Sequence, residues 1–190
     1  MTSSKSWALV VAGYCILAVA MLAFLTINGV SSTAAGTITT ATLIGLGLLL
    51  PAAGTLEMAR HMDPPHGSAR KGLALLSLSL TGLLIGLVVS FAASSLSGHL
   101  VSAVFIVLGG ASGLAGAIFI AKQARARQLV AGAALIPASN IALFAYLISD
   151  MGKSIYQDIG AALAACGSVV AAYSFFVLRS RAKAPAVSRS

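Results

Sequence analysis

Charged residues are scarce in this chain. Only 8% of its 190 residues are Asp, Glu, Lys or Arg, whereas soluble domains keep about a quarter of their residues charged to cover their surface. The hydrophobic fraction is 58% and the mean hydropathy is +0.98. These values exclude an ordinary water-soluble domain, and they predict that lipid is the main solvent of the chain.

Acidic residues are rarer still than basic ones. Four Asp and Glu stand against 12 Lys and Arg, which gives a formal net charge of +8. Nucleic-acid binding would require a concentrated basic face with base-reading or stacking groups, and the sequence shows no such grouping. We assign the basic excess to membrane topology and lipid contact, and we predict no nucleic-acid partner.

Six apolar runs are long enough to cross the hydrocarbon core of a bilayer, which takes about 20 helical residues. Glu57, near the end of the second run, is the only Asp, Glu, Lys or Arg inside them. Backbone groups in lipid must be hydrogen-bonded within their own segment, so the runs are predicted as helices. The predicted fold is an all-α, integral membrane six-helix bundle. The runs cover residues 7–27, 38–58, 73–93, 100–121, 129–149 and 159–178.

The distribution of Lys and Arg predicts how the bundle is oriented. With six spans, both chain ends lie on one side, and that side holds all of the 12 Lys and Arg residues except Lys153. Positive charge in short loops stays in the cytoplasm. We therefore predict a multi-pass protein of the cell inner (plasma) membrane with both termini cytoplasmic.

The spans also fall into three similar units. Residues 5–60, 71–127 and 128–179 each contain an apolar helix, a turn rich in small residues, a second helix and a closing Arg. Such repetition predicts three antiparallel helical hairpins. We expect a single transmembrane domain over residues 1–183 and a short cytoplasmic tail over residues 184–190.

The tripled hairpin resembles the HdeD family of small six-helix inner-membrane proteins, named after acid resistance. The resemblance covers nearly the whole chain and includes the Arg-x-Arg closings Arg125/Arg127 and Arg179/Arg181, although the first unit closes on Arg60 alone and no outer turn contains Pro. It implies a stress-linked membrane protein without a catalytic centre. The glycines that contribute to the resemblance are Gly13, Gly82, Gly86, Gly109, Gly113, Gly132 and Gly167.

The stretch VLGGASGLAGAIF, residues 107–119, contains a Gly-x-Ser-Gly step in the fourth run. This step looks like the nucleophile motif of rhomboid intramembrane proteases. A serine nucleophile needs a base within hydrogen-bond reach, and the sixth run, where rhomboids carry their His, contains none. We therefore predict that Ser112 is not a nucleophile, that the chain has no catalytic residue and that it is not an enzyme.

Helix packing explains the same stretch better. Apolar burial gives helices in lipid little reason to associate, and small residues provide one by letting backbones approach closely. Glycines spaced four apart in the third and fourth runs present such surfaces. The predicted packing positions are Gly82, Gly86, Gly109, Gly113, Gly116 and Gly167.

The candidate metal ligands are Glu57, His61 and His66. Glu57 and His61 are four residues apart and share a helix face, and histidine titrates near physiological pH. The group is therefore either a metal or proton site, or an interfacial pair with solvated neighbours. We favour the pair, because a closed metal site usually needs four ligands, and we expect no metal and no cofactor.

Two further features lie inside the spans. Asn140 is the one strongly polar side chain deep in a run, and it is either a polar contact between helices or a pore-lining residue. Cys15 and Cys166 differ in depth by too much for a disulfide, so we expect reduced cysteines in the core.

Three functions remain open from the sequence. The first is an HdeD-like, non-enzymatic protein connected with envelope stress or acid tolerance. The second is an accessory subunit of a larger respiratory or transport complex, and the third is a small channel or uncoupled transporter for a neutral solute. Ion-coupled transport is disfavoured, because the spans carry no ionisable residue at depth. The expected partners are the lipid bilayer and either a larger membrane complex or further copies of the chain.

Overall fold

Six α-helices form the part of the chain that is described by the structure, a computed structural model. It describes residues 4–26, 34–61, 67–92, 96–124, 127–148 and 154–183. No strand occurs in these ranges, so the prediction of an all-α, six-helix fold is confirmed. The helices are α1 (Ser4–Thr26), α2 (Ala34–Arg60), α3 (Gly67–Ala92), α4 (Leu96–Ala124), α5 (Arg127–Ile148) and α6 (Ser154–Lys183).

Five of these helices, α1, α2, α3, α4 and α6, are long and apolar enough to cross a membrane. In α5 the apolar stretch that is fully described is shorter and covers Arg127–Ile136. Several helices extend beyond the predicted apolar runs; α4, for example, begins four residues earlier than predicted, at Leu96. The extension reflects backbone hydrogen bonding that continues into polar residues at the ends of a span, where hydropathy no longer marks the helix.

The helices are arranged as a closed ring. Each helix contacts the helices before and after it in the chain, and α6 returns to contact α1. Within the second hairpin, Gly72 near the start of α3 lies against Gly116 near the end of α4, and Gly86 lies against Ser102 near the start of α4. The two helices are therefore antiparallel.

One end of the ring is strongly basic. The helices α1, α3 and α5 begin at this end and α2, α4 and α6 end there, and we call it the basic end. Asp158, near the start of α6, is exposed at the opposite end. The basic residues of the basic end, all exposed or half-buried, are Lys5, Arg60, Arg70, Lys71, Lys122, Arg127, Arg179 and Arg181.

The outward faces of the helices carry large apolar side chains. Val19, Val104, Val107 and Leu108 are each more than half exposed. Apolar patches of this extent are rare on monomeric soluble proteins, whereas in a bilayer they contact acyl chains. The outer surface of the ring is thus suited to lipid.

The predicted location of the two cysteines is wrong. Cys15 and Cys166 are free, but both are exposed on outward faces rather than buried in the core. Sequence could not identify their faces, because most positions around α1 and α6 are apolar and the polar stripe that marks the outside of a soluble helix is missing. Both thiols therefore face the surroundings of the ring.

Candidate functional site

Glycines bring the backbones of α3 and α4 into close contact. A Cβ added to Gly116 would lie 2.6 Å from the carbonyl oxygen of Gly72, and one added to Gly72 would lie 2.8 Å from the carbonyl oxygen of Gly116. A Cβ added to Gly82 would lie 3.4 Å from the Cα of Gly109. The two backbones therefore touch along this interface, and side chains larger than hydrogen do not fit at its closest points.

The neighbouring glycines of this hairpin meet side chains as well as backbone. Gly113 faces the side chain of Ser79, and a Cβ added to Gly86 would lie 3.0 Å from Ile106 Cγ1 and 3.2 Å from the carbonyl oxygen of Ser102. Serine and isoleucine thus fill the space that the missing glycine side chains leave open.

Glycine also lies at the contact between the two helices of each of the other hairpins. In the first, Gly13 of α1 lies directly against the ring of Pro51 in α2. In the third, a Cβ added to Gly167 of α6 would lie 3.0 Å from Ile136 Cγ1, and one added to Gly132 of α5 would lie 2.9 Å from the carbonyl oxygen of Gly167. Each antiparallel pair is therefore closed by contacts at glycine.

Buried serines add hydrogen bonds between helices. Ser77 Oγ of α3 donates to the carbonyl of Ala52 in α2 at 2.9 Å, and Ser102 Oγ of α4 donates to the carbonyl of Gly86 in α3 at 2.6 Å. The side chain of Asn140, predicted to be either a polar contact between helices or a pore-lining residue, lies outside the described residues.

The sequence does not single out Ser77 and Ser102, because a serine hydroxyl in a span can donate either to a neighbouring helix or to a carbonyl of its own helix. Ser168 Oγ donates to the carbonyl of Ala164 and Ser174 Oγ to that of Val170, each within its own helix. Both uses satisfy the hydroxyl in an apolar setting. Only the register between neighbouring helices shows which serine reaches across.

An aromatic cluster closes the ring between α1 and α6. Phe175 is fully buried and stacks on Tyr14 with ring centroids 6.1 Å apart. Trp7 meets Phe175 edge-to-face at 6.2 Å, and Arg179 Nη2 donates to Ser4 Oγ at 3.4 Å near the basic end. This seam joins the beginning of the chain to its last helix.

Two of the three candidate metal ligands, Glu57 and His61, lie at the end of α2. His61 is exposed, and its Nδ1 donates to the backbone carbonyl of Glu57 at 2.9 Å rather than to the Glu57 carboxylate. The His61 backbone N–H donates to the same carbonyl at 3.2 Å. His66 lies outside the described residues, and the described part of the chain contains no group of three or more His, Cys, Asp or Glu that could hold a metal ion. Here the imidazole caps the last turn of the helix.

Ser112 has an ordinary local hydrogen bond. Its Oγ is half-buried and donates to the carbonyl of Gly109 at 3.0 Å. His99 precedes it on the same helix by thirteen residues, about 20 Å at 1.5 Å per residue. His99 is therefore out of reach as a base for Ser112.

His99 does not act as a base for Ser90 either, because the two side chains are not hydrogen-bonded. Among the described residues, Ser90 Oγ and His99 Nδ1 are buried polar atoms without a hydrogen-bond partner. The antiparallel register of α3 and α4 places both residues near the end of the ring opposite the basic end, yet neither atom donates to the other. A Ser–His dyad, which requires that hydrogen bond, is not formed.

A crevice opens between the end of α4 and the start of α5. Its volume is about 550 Å³, and it lies at the basic end. Lys122 and Arg127 contribute two exposed cationic side chains to it. Sequence reasoning counted these two residues only as topology signals, because the separation of α4 from α5 cannot be read from composition. The crevice is lined by Ile118, Ala121, Lys122, Arg127 and Val130.

The fold and these contacts define a helical, multi-pass membrane protein. Glycine contacts hold the hairpins, serine hydroxyls join neighbouring helices, and apolar side chains cover the outside of the ring. Comparison of the chain with family models, curated proteins and solved structures gives no significant match.

Proposed function

We propose that this chain is a non-enzymatic integral protein of the bacterial inner membrane, of HdeD-like type, that contributes to tolerance of envelope stress and acid. The observation that carries the proposal is the ring of three glycine-closed hairpins. The HdeD resemblance rests on this tripled hairpin and on glycines within its helices. The glycines that lie at helix contacts are Gly13, Gly82, Gly86, Gly109, Gly113, Gly132 and Gly167.

The polar groups of the described spans support a structural role. Ser77 and Ser102 are committed to backbone carbonyls of neighbouring helices, and Ser112 to a carbonyl of its own helix. None of these hydroxyls is hydrogen-bonded to a base. Chemistry at mid-depth would require an activated nucleophile, an acid or a base, whereas these three hydroxyls are hydrogen-bonded to backbone carbonyls.

A deletion strain tests the physiological part of the proposal. We expect survival after a shift to strongly acidic medium to fall on deletion. Expression of the wild-type chain from a plasmid should restore survival, and the S112A variant should restore it equally. Unchanged survival of the deletion strain would remove the acid-tolerance proposal, and failure of S112A alone would return Ser112 to the list of reactive groups.

The orientation of the ring is a second prediction. The basic end should face the cytoplasm, because Lys and Arg in short loops are retained there. In a C15A/C166A background, single cysteines are placed at exposed positions at the two ends, S180C at the basic end and S97C at the opposite end. We expect a membrane-impermeant maleimide to label S97C in intact spheroplasts, and S180C only after permeabilisation. The reverse pattern would place the termini outside.

The accessory-subunit alternative is favoured by one specific surface. The outward side of α4 carries an almost continuous set of exposed apolar side chains, which a larger apolar partner could cover as well as lipid does. Purification in mild detergent from the native membrane tests this alternative, since a subunit would bring larger polypeptides with it at fixed stoichiometry. The residues of this surface are Leu100, Val101, Val104, Val107, Leu108, Leu114, Ile118 and Phe119.

The channel alternative receives less support from the described interior. The ring encloses large fully buried side chains, among them Tyr14, Met58, Leu83 and Phe175. These residues belong to one continuous apolar cluster with members from all six helices. A neutral solute would have to displace them to cross the described part of the ring.

A further inference from the structure

The crevice between α4 and α5 combines two kinds of wall. Lys122 near the end of α4 and Arg127 at the start of α5 place cationic groups at the basic end. Ile118 lies one helical turn deeper than Lys122, and Val130 lies about one turn deeper than Arg127 along their helices. The crevice is therefore cationic at the end of the ring and apolar on the side that leads into the span.

No carboxylate on either of its helices neutralises the crevice. Residues 96–149 contain no Asp or Glu. Glu57 is on α2, whose main contacts are with α1 and α3, and Asp158 is at the opposite end of the ring. Lys122 and Arg127 thus present positive charge that is not compensated from within α4 or α5.

We propose that this crevice binds one anionic phospholipid. Its phosphate oxygens accept hydrogen bonds from the Lys122 ammonium and the Arg127 guanidinium, a charge-assisted arrangement that suits phosphate. An acyl chain lies along Ile118 and Val130. Basic pockets between transmembrane helices at a membrane surface bind acidic headgroups by this combination of charge and apolar contact.

Charge complementarity selects this occupant over the others. A second copy of the chain would bring its own cationic end to the same depth of the membrane, where Lys122 and Arg127 would face further Lys and Arg. A zwitterionic lipid would match the apolar walls but would add a cationic group beside the two basic side chains. An anionic phospholipid matches both the charge and the walls, and the proposal does not depend on the function proposed above.

Native mass spectrometry of the full chain, purified in mild detergent and titrated with phosphatidylglycerol or phosphatidylcholine, tests the proposal. We expect one tightly bound phosphatidylglycerol per chain and no comparable adduct with phosphatidylcholine. The K122Q/R127Q variant should bind phosphatidylglycerol about thirtyfold more weakly, which corresponds to about 2 kcal/mol for two basic residues at a membrane surface.

A matched control removes the same charge elsewhere at the same end. Arg70 and Lys71 are exposed at the start of α3 and do not line the crevice. R70Q/K71Q should therefore retain the bound lipid to within about threefold, because it removes only diffuse surface potential. All four side chains are exposed, so both variants should keep the thermal stability of the wild-type chain.

A third variant separates the shape of the crevice from its charge. A121F places a larger side chain in the crevice and keeps both cations, and we expect it to lose the single tight adduct while Lys122 and Arg127 remain. Equal weakening in K122Q/R127Q and R70Q/K71Q would overturn the proposal in favour of non-specific attraction. Equal binding of the two lipids, or a protein dimer whose formation excludes the lipid, would overturn it as well.

Discussion

The substitution Phe175→Ala is expected to lower the free energy of unfolding by about 2 kcal/mol. In soluble cores Phe→Ala costs about 3–5 kcal/mol, part of it the transfer of apolar area from water. Lipid tails are as apolar as the side chain, so that part is small here, and the loss of packing and the remaining cavity account for the cost. Phe175 is fully buried between Tyr14 and Trp7, so its removal opens the seam that closes the ring.

The next residue along the chain is the matched control. Phe176 has the same side chain but is 56% exposed on the outward face. Phe176→Ala should therefore change the midpoint of thermal unfolding in detergent by less than about 2 °C, against a decrease of about 6 °C for Phe175→Ala.

Trp7 provides a second readout for the same pair of variants. It is the only Trp in the chain and contacts Phe175. Its fluorescence should change in Phe175→Ala and stay as in the wild type in Phe176→Ala. Equal effects of the two substitutions on stability and on fluorescence would contradict the seam between α1 and α6.

The substitution Gly116→Ala is expected to destabilise the α3–α4 hairpin by about 2 kcal/mol, within the range of overpacked cores. The new Cβ would lie 2.6 Å from the carbonyl oxygen of Gly72 and 3.0 Å from the backbone nitrogen of Leu76. Both neighbours are backbone atoms, so a rotamer change cannot relieve the contact. The helices must move apart, and this loosens the contact between Gly82 and Gly109 further along.

Gly45 in α2 is the matched glycine. A Cβ added there meets nothing within 4 Å, so Gly45→Ala should leave stability unchanged or raise it by up to about 1 kcal/mol through the higher helix propensity of alanine. Thermal unfolding in detergent measures both variants under identical conditions. Equal destabilisation by both substitutions would contradict the account, because it would show that the cost comes from replacing any helical glycine and not from the close contact between α3 and α4.

A double substitution locates the effect at one contact. Gly72 and Gly116 face each other, so once Gly116→Ala has separated the helices, Gly72→Ala should add less than its cost in the wild-type chain. Residues in contact commonly show such coupling, with interaction energies of about 0.5–3 kcal/mol. Strict additivity of the two costs would place the glycines in independent environments.

Sequence predicts the helices of this protein better than their faces. Long runs without charge predict the spans, because lipid leaves helix as the only solution for the backbone of such a run. Phe175 and Phe176 show where prediction stops. The two residues are adjacent and identical, yet one is fully buried and the other faces outward, and an all-apolar helix carries no polar stripe to tell them apart.

The candidate site shows the same division. The glycines spaced four apart in the third and fourth runs could be found by inspection, and one from each run, Gly82 and Gly109, lies where α3 and α4 touch. The α4–α5 crevice could not be found, because its existence depends on how far the two helices separate around Ile118 and Val130. The distance between two helices depends on tertiary packing, and no local sequence pattern in α4 or α5 predicts it.

The central claim is that the outside of this ring contacts lipid while its two ends contact water. The most direct test is electron paramagnetic resonance of a nitroxide attached to single cysteines in reconstituted membranes, in a C15A/C166A background. Val107, 60% exposed near the middle of α4, is replaced in V107C, and Ser97 at the end of the same helix is replaced in S97C as the water-exposed reference. We predict that the nitroxide of V107C collides often with oxygen and rarely with a water-soluble nickel complex, whereas that of S97C shows the opposite preference. Strong relaxation of the V107C nitroxide by the nickel complex would contradict the account, because it would place water at the middle of the outer surface.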